Sequence, residues 1–291
     1  MNISKKKLFI FTILFVVLNH VAIIQCFAGN SNNFPQRVIS LGPNITKLIY
    51  LINSQDKLIG ITTHCVLPIK EKNKEKIGNV IQINVEKIIS LKPDLVFSTP
   101  LSRQKSIETL KKQGISIIKF ENPENFEQIC QMLKKIGKIF NKNKTAQNII
   151  EKSKKQVLAI KRKTKNLKKK KVFIQIGIKP LWTSGKNTFI NEYIEFAGGI
   201  NIAENTKKGI YSREKVIQAN PDIIFITGME KSKKAAENEK TNWLKFKSIN
   251  ASKNNNIYIL DTNIVCSPTP MTFVKGLQNF LKFIHPEITL E

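Results

Sequence analysis

The chain has 291 residues, of which 41% are apolar and 24% charged, enough for a real core and too ordered in composition for a collagen-like or disordered chain. Forty-eight Lys and Arg against 21 Asp and Glu give a formal charge of +27, and four cysteines are too few for a disulfide scaffold. No CxxC pair or Cys/His ladder offers structural zinc.

The first element is a leader. Lys5, Lys6 and Lys7 precede an apolar run from Leu8 to Leu18, and Ala28-Gly29 supplies small residues for cleavage, so residues 1–28 read as an export signal. The run is short for a membrane span, which needs ~20 residues. A lipid anchor at Cys26 is the lesser alternative, because Ile23-Ile24-Gln25 lacks the small residues a lipobox carries before its Cys. Export to the periplasm argues against a nucleic-acid partner. The basic run from Lys161 to Lys171 also lacks aromatics for stacking bases. It reads as a solvated surface, or as an attraction for an anionic ligand or membrane.

Arg37–Leu41 is a short apolar strand, followed by Gly42-Pro43-Asn44 and helical periodicity from Thr46 to Ile52. Further strands are expected at Lys57–Ile61, Asp94–Ser98 and Ile115–Phe120. Helices are expected at Val85–Leu91, Gln104–Gln113 and Asn125–Phe140. Asn141–Asn166 holds neither Pro nor Gly and carries one apolar face, which predicts a single long helix. Val172–Ile176 then restarts the strand pattern, a Pro/Gly loop runs to Gly185, and a helix follows over Phe189–Phe196. Residues 86–97 (Glu-Lys-Ile-Ile-Ser-Leu-Lys-Pro-Asp-Leu-Val-Phe) recur at 214–225 (Glu-Lys-Val-Ile-Gln-Ala-Asn-Pro-Asp-Ile-Ile-Phe). In each copy a Pro stops a short helix just before a buried strand. The fold class is therefore α/β, with parallel-type sheets in two lobes, residues 34–140 and 171–289, joined by a linking helix over 141–168.

Catalytic equipment is sparse. Of three histidines, His20 lies in the leader, His285 sits in a C-terminal His-Pro-Glu, and His64 alone occupies an expected cleft loop. Nucleophile-elbow and phosphate-loop motifs are absent, which points away from an enzyme. A metal-dependent enzyme using His64 is the rival from that class. His64-Cys65 and Cys266 follow strands; buried thiols and a solvated His are the plainer reading, metal or haem ligation the sharper one. Cys130 falls on an apolar helix face. Trp182, inside Lys179-Pro-Leu-Trp-Thr-Ser-Gly185, has no helical periodicity to explain it. Two readings stay open: a platform for a planar ligand, or a plug onto its own lobe. Trp243 is expected to begin a surface-like helix and to pack rather than bind.

Six stretches carry a resemblance in order along the chain: residues 37–46 (Arg-Val-Ile-Ser-Leu-Gly-Pro-Asn-Ile-Thr), 91–96, 180–186 (Pro-Leu-Trp-Thr-Ser-Gly-Lys), 197–201 (Ala-Gly-Gly-Ile-Asn), 220–224 and 281–287. Together they resemble the cobalamin/iron-chelate periplasmic substrate-binding proteins of ABC importers, with residues 172–214 most similar to the cobalamin-binding member. The resemblance implies a class III binding-protein fold with little closure on ligand, a permease dimer and a small metal chelate as partners, no nucleic-acid partner, and a monomeric chain with no resident cofactor or metal. It implies a corrinoid ligand first, with haem or a ferric siderophore as the alternative. It also gives Glu86 and Glu214, one per lobe, the role of pairing with permease arginines. The implied cleft residues are Ser40, Gly42, Pro43, Asn44, His64, Cys65, Val80, Thr99, Trp182, Lys208, Asn263 and Ser267. Val80, Thr99 and Lys208 stand where cobalamin binders carry aromatics, and His64 replaces a tyrosine. Pro270-Met271-Thr272 lacks the Arg that many members place there.

Overall fold

The computed structural model describes residues 34–66, 74–207, 209–227 and 233–289. The chain divides into two units, Met1–Pro35 and Gln36–Glu291. The leader, Cys26 and Lys208 lie outside the described residues, and the fold lies in the second unit.

Its first half builds a five-stranded parallel sheet in the order β3-β2-β1-β4-β5, from β1 (Val38–Ser40), β2 (Leu58–Ile61), β3 (Glu75–Lys76), β4 (Leu95–Ser98) and β5 (Ser116–Lys119). Parallel strands need crossovers, supplied here by α1 (Pro43–Leu51), α2 (Val85–Ser90) and α3 (Gln104–Lys112). Helix α4 (Phe126–Ile139) leads into α5 (Asn143–Thr164), whose 22 residues span about 33 Å at 1.5 Å each. The second half is a four-stranded parallel sheet in the order β7-β6-β8-β9: β6 (Lys170–Gln175), β7 (Gly199–Asn201), β8 (Ile223–Thr227) and β9 (Ile257–Leu260). Its helices are α6 (Phe189–Phe196), α7 (Arg213–Ala219), α8 (Lys233–Leu244), α9 (Asn250–Lys253), α10 (Thr262–Val265) and α11 (Pro270–Ile284).

The pleat of these strands explains how the lobes cohere. Val38, Leu95, Phe97, Val172, Ile174, Ile223 and Phe225 point into one buried core common to both sheets. Their alternating neighbours feed outer cores, Ile39 and Val96 in the first lobe, Phe173, Ile224 and Ile226 in the second. This is the period-two alternation of strands buried on both faces. Helices α4, α5 and α11 add Ile136, Ile150, Val157, Phe273 and Phe280 to the common core.

The repeat extends to the hydrogen bonds that start each sheet. Asp94 Oδ2 accepts from the Arg37 backbone N–H at 3.0 Å, and Asp222 Oδ2 accepts from the Lys171 N–H at 2.8 Å. Arg37 Nη2 donates to Leu91 O at 2.6 Å, while Lys171 Nζ donates to Ala219 O at 3.2 Å. Each cation thus caps the carboxyl end of the helix before its neighbouring strand. The residues just before the two prolines, Lys92 and Asn220, both take left-handed backbone angles, with φ of 46° and 48°.

Trp243 corrects one expectation. It lies at the end of α8 rather than the start of a surface helix, is fully buried, and donates Nε1–H to Gln175 Oε1 at 2.7 Å. Gln175 Nε2 in turn donates to the buried Glu239, which pairs with Arg213.

Helices α4 and α5 approach so closely at Gly137 that an added Cβ would sit 2.6 Å from the Ala146 Cβ. Gly137→Ala is therefore expected to lower stability by about 1–3 kcal/mol in urea unfolding through overpacking, although alanine is the better helix former. A rise in the midpoint would contradict this packing.

Candidate functional site

Because every strand in each sheet is parallel, the carboxyl ends of all strands in a sheet share one edge. Loops at such edges are where open α/β sheets bind ligands. Two bonds show that the edges of the two sheets face each other. Lys47 Nζ, in the first turns of α1 after β1, donates to Asn263 O at 2.5 Å and Ser267 O at 3.1 Å, both past the end of β9. Glu192 Oε2 of α6 accepts the Phe126 N–H of α4 at 2.6 Å.

The candidate residues gather at these edges. Gly42 and Pro43 open α1, with Pro43 at its first turn, where its missing N–H costs nothing. Asn44 is half-buried and turns its Oδ1 back onto the Ile45 N–H at 2.9 Å. After β2, His64 is exposed, with Nδ1 3.4 Å from Thr63 Oγ1. Val80 stands half-buried in a turn closed by Asn79 Oδ1, which accepts from the Ile81 and Gln82 N–H groups at 2.8 and 2.7 Å. Thr99 follows β4, its methyl against Gly42, where an added Cβ would come within 2.8 Å.

Ser40 and Cys65 are placed beneath this surface. Ser40 Oγ donates to Gly42 O at 3.1 Å and accepts from Thr46 Oγ1 at 2.9 Å. The Cys65 thiol lies 3.3 Å from both Thr46 Oγ1 and Thr62 Oγ1. Both residues are buried, so they brace the loops from below. Cys65 and Cys266 are free thiols, and burial pushes the Cys266 thiol up, which disfavours its thiolate. Among the described residues, no group of three or more His, Cys, Asp or Glu could hold a metal ion.

Trp182 is the large aromatic of the second edge. Its backbone bridges to Gly177 and Ile210, and its ring crosses Gly209, whose φ of 71° and missing Cβ both suit that approach. It remains 43% exposed. It therefore rests on its own lobe and also presents a face outward.

Several large apolar side chains at the same edges were not singled out from the sequence. Val66, Ile81 and Leu101 after β2, β3 and β4, and Ile210 and Met271 in the second lobe, are all exposed. For all but Met271, which lies in the first turn of α11, the signal was the one used for Trp182, a large apolar residue in a loop after a strand. Lys47 gave no such signal, being one lysine among many on an amphipathic helix. Between α1 and α11, Tyr50, Leu51, Val66 and Met271 line a cavity of about 390 Å³, with Lys47 and Thr272 at its wall. Burial lowers the Lys47 ammonium below the ordinary lysine range, opposed by the charge of Asp261.

Two α/β lobes packed on a common core, with loops gathered at facing sheet edges, are the architecture of a bilobal periplasmic binding protein. Residues 38–264 match the periplasmic binding protein family, and the chain belongs to it. A Bacillus subtilis (strain 168) protein described as an uncharacterized ABC transporter substrate-binding lipoprotein, YvrC, is 31% identical over 87% of this chain and 81% of its own length. A vitamin B12-binding protein of Vibrio parahaemolyticus is 28% identical over 83% of this chain and 87% of its own. The crystal structure of a possible iron-binding (periplasmic solute-binding) protein from Staphylococcus epidermidis superposes with a TM-score of 0.73 at 27% identity, covering 86% of this chain and 99% of that one. No helix among the described residues is long and apolar enough to cross a membrane.

The Glu192 bond between the lobes has a measurable pH signature. Burial holds the Glu192 carboxyl above its ordinary 4.5, against the opposing Phe126 N–H and the Lys161 charge. Between 4.5 and that raised value the folded chain binds more protons than the unfolded one, so this group makes stability fall as pH rises through the window. Glu192→Gln keeps an oxygen for Phe126 and is expected to flatten that slope in urea unfolding. An unchanged slope would contradict the assignment.

Proposed function

We propose that the chain is the exported substrate-binding protein of an ABC importer, capturing a corrinoid between its lobes and delivering it to a permease. The observation that carries this reading is the set of exposed apolar side chains, Trp182 among them, in the loops and helix starts at the facing sheet edges. A large, partly apolar ligand would cover them, whereas a free ion or a sugar would leave them wet. The names of the B. subtilis and V. parahaemolyticus relatives support the transporter and the ligand class respectively. The family is one of binding proteins, so the chain carries its ligand rather than transforming it.

In this reading residues 34–140 and 171–289 are the lobes, 141–168 the linker, and 1–28 a leader removed on export. Gly42, Pro43, Asn44, His64, Val80, Thr99 and Trp182 meet the ligand, and Lys208 is assigned there on family resemblance. Asn263 and Ser267 act through the carbonyls that hold Lys47, and Ser40 and Cys65 through the loops they brace. A haem or ferric siderophore is the second reading. It is favoured by the small residues Val80 and Thr99 at aromatic positions of cobalamin binders and by the iron-binding description of the S. epidermidis structure. The lipoprotein name of the B. subtilis relative favours the alternative of a lipid anchor at Cys26.

Glu86 and Glu214 are the proposed permease contacts. Each is exposed at the second residue of its helix, α2 capped by Asn84 and α7 by Ser212. Neither forms an ion pair among the described residues, and the Glu214 carboxyl is held below the usual range by its own backbone N–H, with the Ser212 hydroxyl.

Fluorescence titration of residues 29–291 with cyanocobalamin, haemin and ferric siderophores tests the ligand. Saturable quenching by cyanocobalamin is expected, absent in Trp182→Phe, with Trp182→Ala weakening affinity by about tenfold or more. Saturation by haemin or a siderophore alone would transfer the assignment to the second reading, and no saturation would withdraw both. Reversing the charge of Glu86 and Glu214 together is expected to leave affinity intact and abolish uptake by cells. A loss of affinity would contradict the docking role.

A further inference from the structure

We infer that the first lobe holds an oxyanion site, of the phosphate class, where β4 ends and α3 begins. A cavity of about 380 Å³ lies there, lined by Thr99, Ser102, Arg103 and Gln104 at one end and by Lys111 and Lys119 along the groove between α3 and β5. Thr99 Oγ1 and Ser102 Oγ are buried in it without a hydrogen-bond partner. Both residues are only 8% exposed, so bulk water does not serve them. Buried hydroxyls left unpartnered are costly, and a protein that keeps two in one cavity has a use for them.

The backbone adds donors at the same place. As the first residue of the nine-residue helix α3, Gln104 lines the cavity and has an N–H with no carbonyl four residues back in the helix to receive it. The preceding N-cap position is Arg103, whose side chain makes no cap hydrogen bond. A guanidinium at the positive end of a helix dipole is the reverse of what helix stability favours, and a bound anion resolves the conflict. Arg103 and Lys111 have no ion-pair partner among the described residues, while Lys119 pairs with Glu121 at 2.8 Å. One further carboxylate stands on α3, Glu108, which accepts from Gln104 Nε2 at 2.9 Å. Two hydroxyls, the Gln104 amide and a guanidinium form the donor set that a tetrahedral oxyanion takes.

The Thr99 methyl against Gly42 puts this site on the same sheet edge as the proposed cleft. The anion has two sources, a phosphate carried by the captured ligand or a free ion. The site itself rests on the cavity and its donors, not on the chelate reading.

Isothermal titration of residues 29–291 with inorganic phosphate at low ionic strength tests it. Saturable one-to-one binding is expected, weakened about tenfold each by Ser102→Ala and Arg103→Gln, the scale of one hydrogen bond to a charged group. Ser102→Ala removes a partnerless hydroxyl, so its urea midpoint should not fall. Absence of saturable heat at millimolar phosphate would overturn the site. Equal binding by wild type and both variants would do so too, since the ion would then sit elsewhere on this basic chain. Cobalamin and cobinamide, which lacks the nucleotide-loop phosphate, separate the sources. A ligand-borne phosphate predicts that Arg103→Gln weakens cobalamin alone; a free anion predicts that neither corrinoid responds. Failure of both corrinoids to bind would count against the chelate reading and leave the phosphate titration to stand.

Discussion

One continuous apolar core, shared by the inner faces of both sheets, holds this molecule in its working shape. Phe126 of the first lobe lies 4.7 Å from Phe273 of the second, Phe273 stacks on Tyr193 at 4.4 Å, and Tyr193 stacks on Phe280 at 5.1 Å between ring centroids. Opening the lobes widely would expose these rings to water, at about 25 cal/mol for each Å² of apolar surface. The long helix α5 packs its Ala146, Ile150, Val157 and Ile160 into the same core. The shared core opposes wide separation of the facing sheet edges, and in the proposed function their loops meet the ligand as a preformed cleft rather than a hinged jaw. Lys47 and Glu192 add polar struts across the junction, each at the cost of burying a charge.

The internal repeat has a consequence beyond the strand order. Asp94 and Asp222, Arg37 and Lys171, and the left-handed residues before Pro93 and Pro221 fix two equivalent frames. Glu86 and Glu214 occupy the same place in each frame, one helix before the strand that follows the proline. A pseudo-twofold pair of carboxylates suits a partner that is itself built from two copies. Meanwhile the loops at the opposite ends of the strands have diverged: Trp182 and Ile210 in one lobe, Val66, Ile81 and Leu101 in the other. Shared scaffold and unlike loops are what a single asymmetric ligand requires.

Much of this was legible in the sequence, because its signals are local. Strand periodicity, the Pro-Asp repeat and the uninterrupted stretch after Asn141 are all properties of short windows, and each became an element within a few residues of its expected bounds. Trp243 packs as expected, but the charged stretch before it hides its full burial, which comes from Phe173, Gln175 and Arg213, all distant in sequence. Lys47 was invisible for the same reason, since the carbonyls it meets are more than two hundred residues away. The oxyanion cavity shows the limit most clearly. Thr99-Pro-Leu-Ser-Arg103 reads as an ordinary loop, and only the fold reveals that two of its hydroxyls are sealed in without partners.

Hydrogen exchange of residues 29–291, with and without saturating cyanocobalamin, tests the preformed cleft most directly. The account predicts protection on both sides of the cleft, at the loops after β1, β2 and β4 and at the Trp182 and Ile210 loops. Exchange in α5 and the common core should be unchanged. Protection confined to one lobe, or a broad change through α5, would contradict a rigid cleft that binds its ligand between two fixed edges.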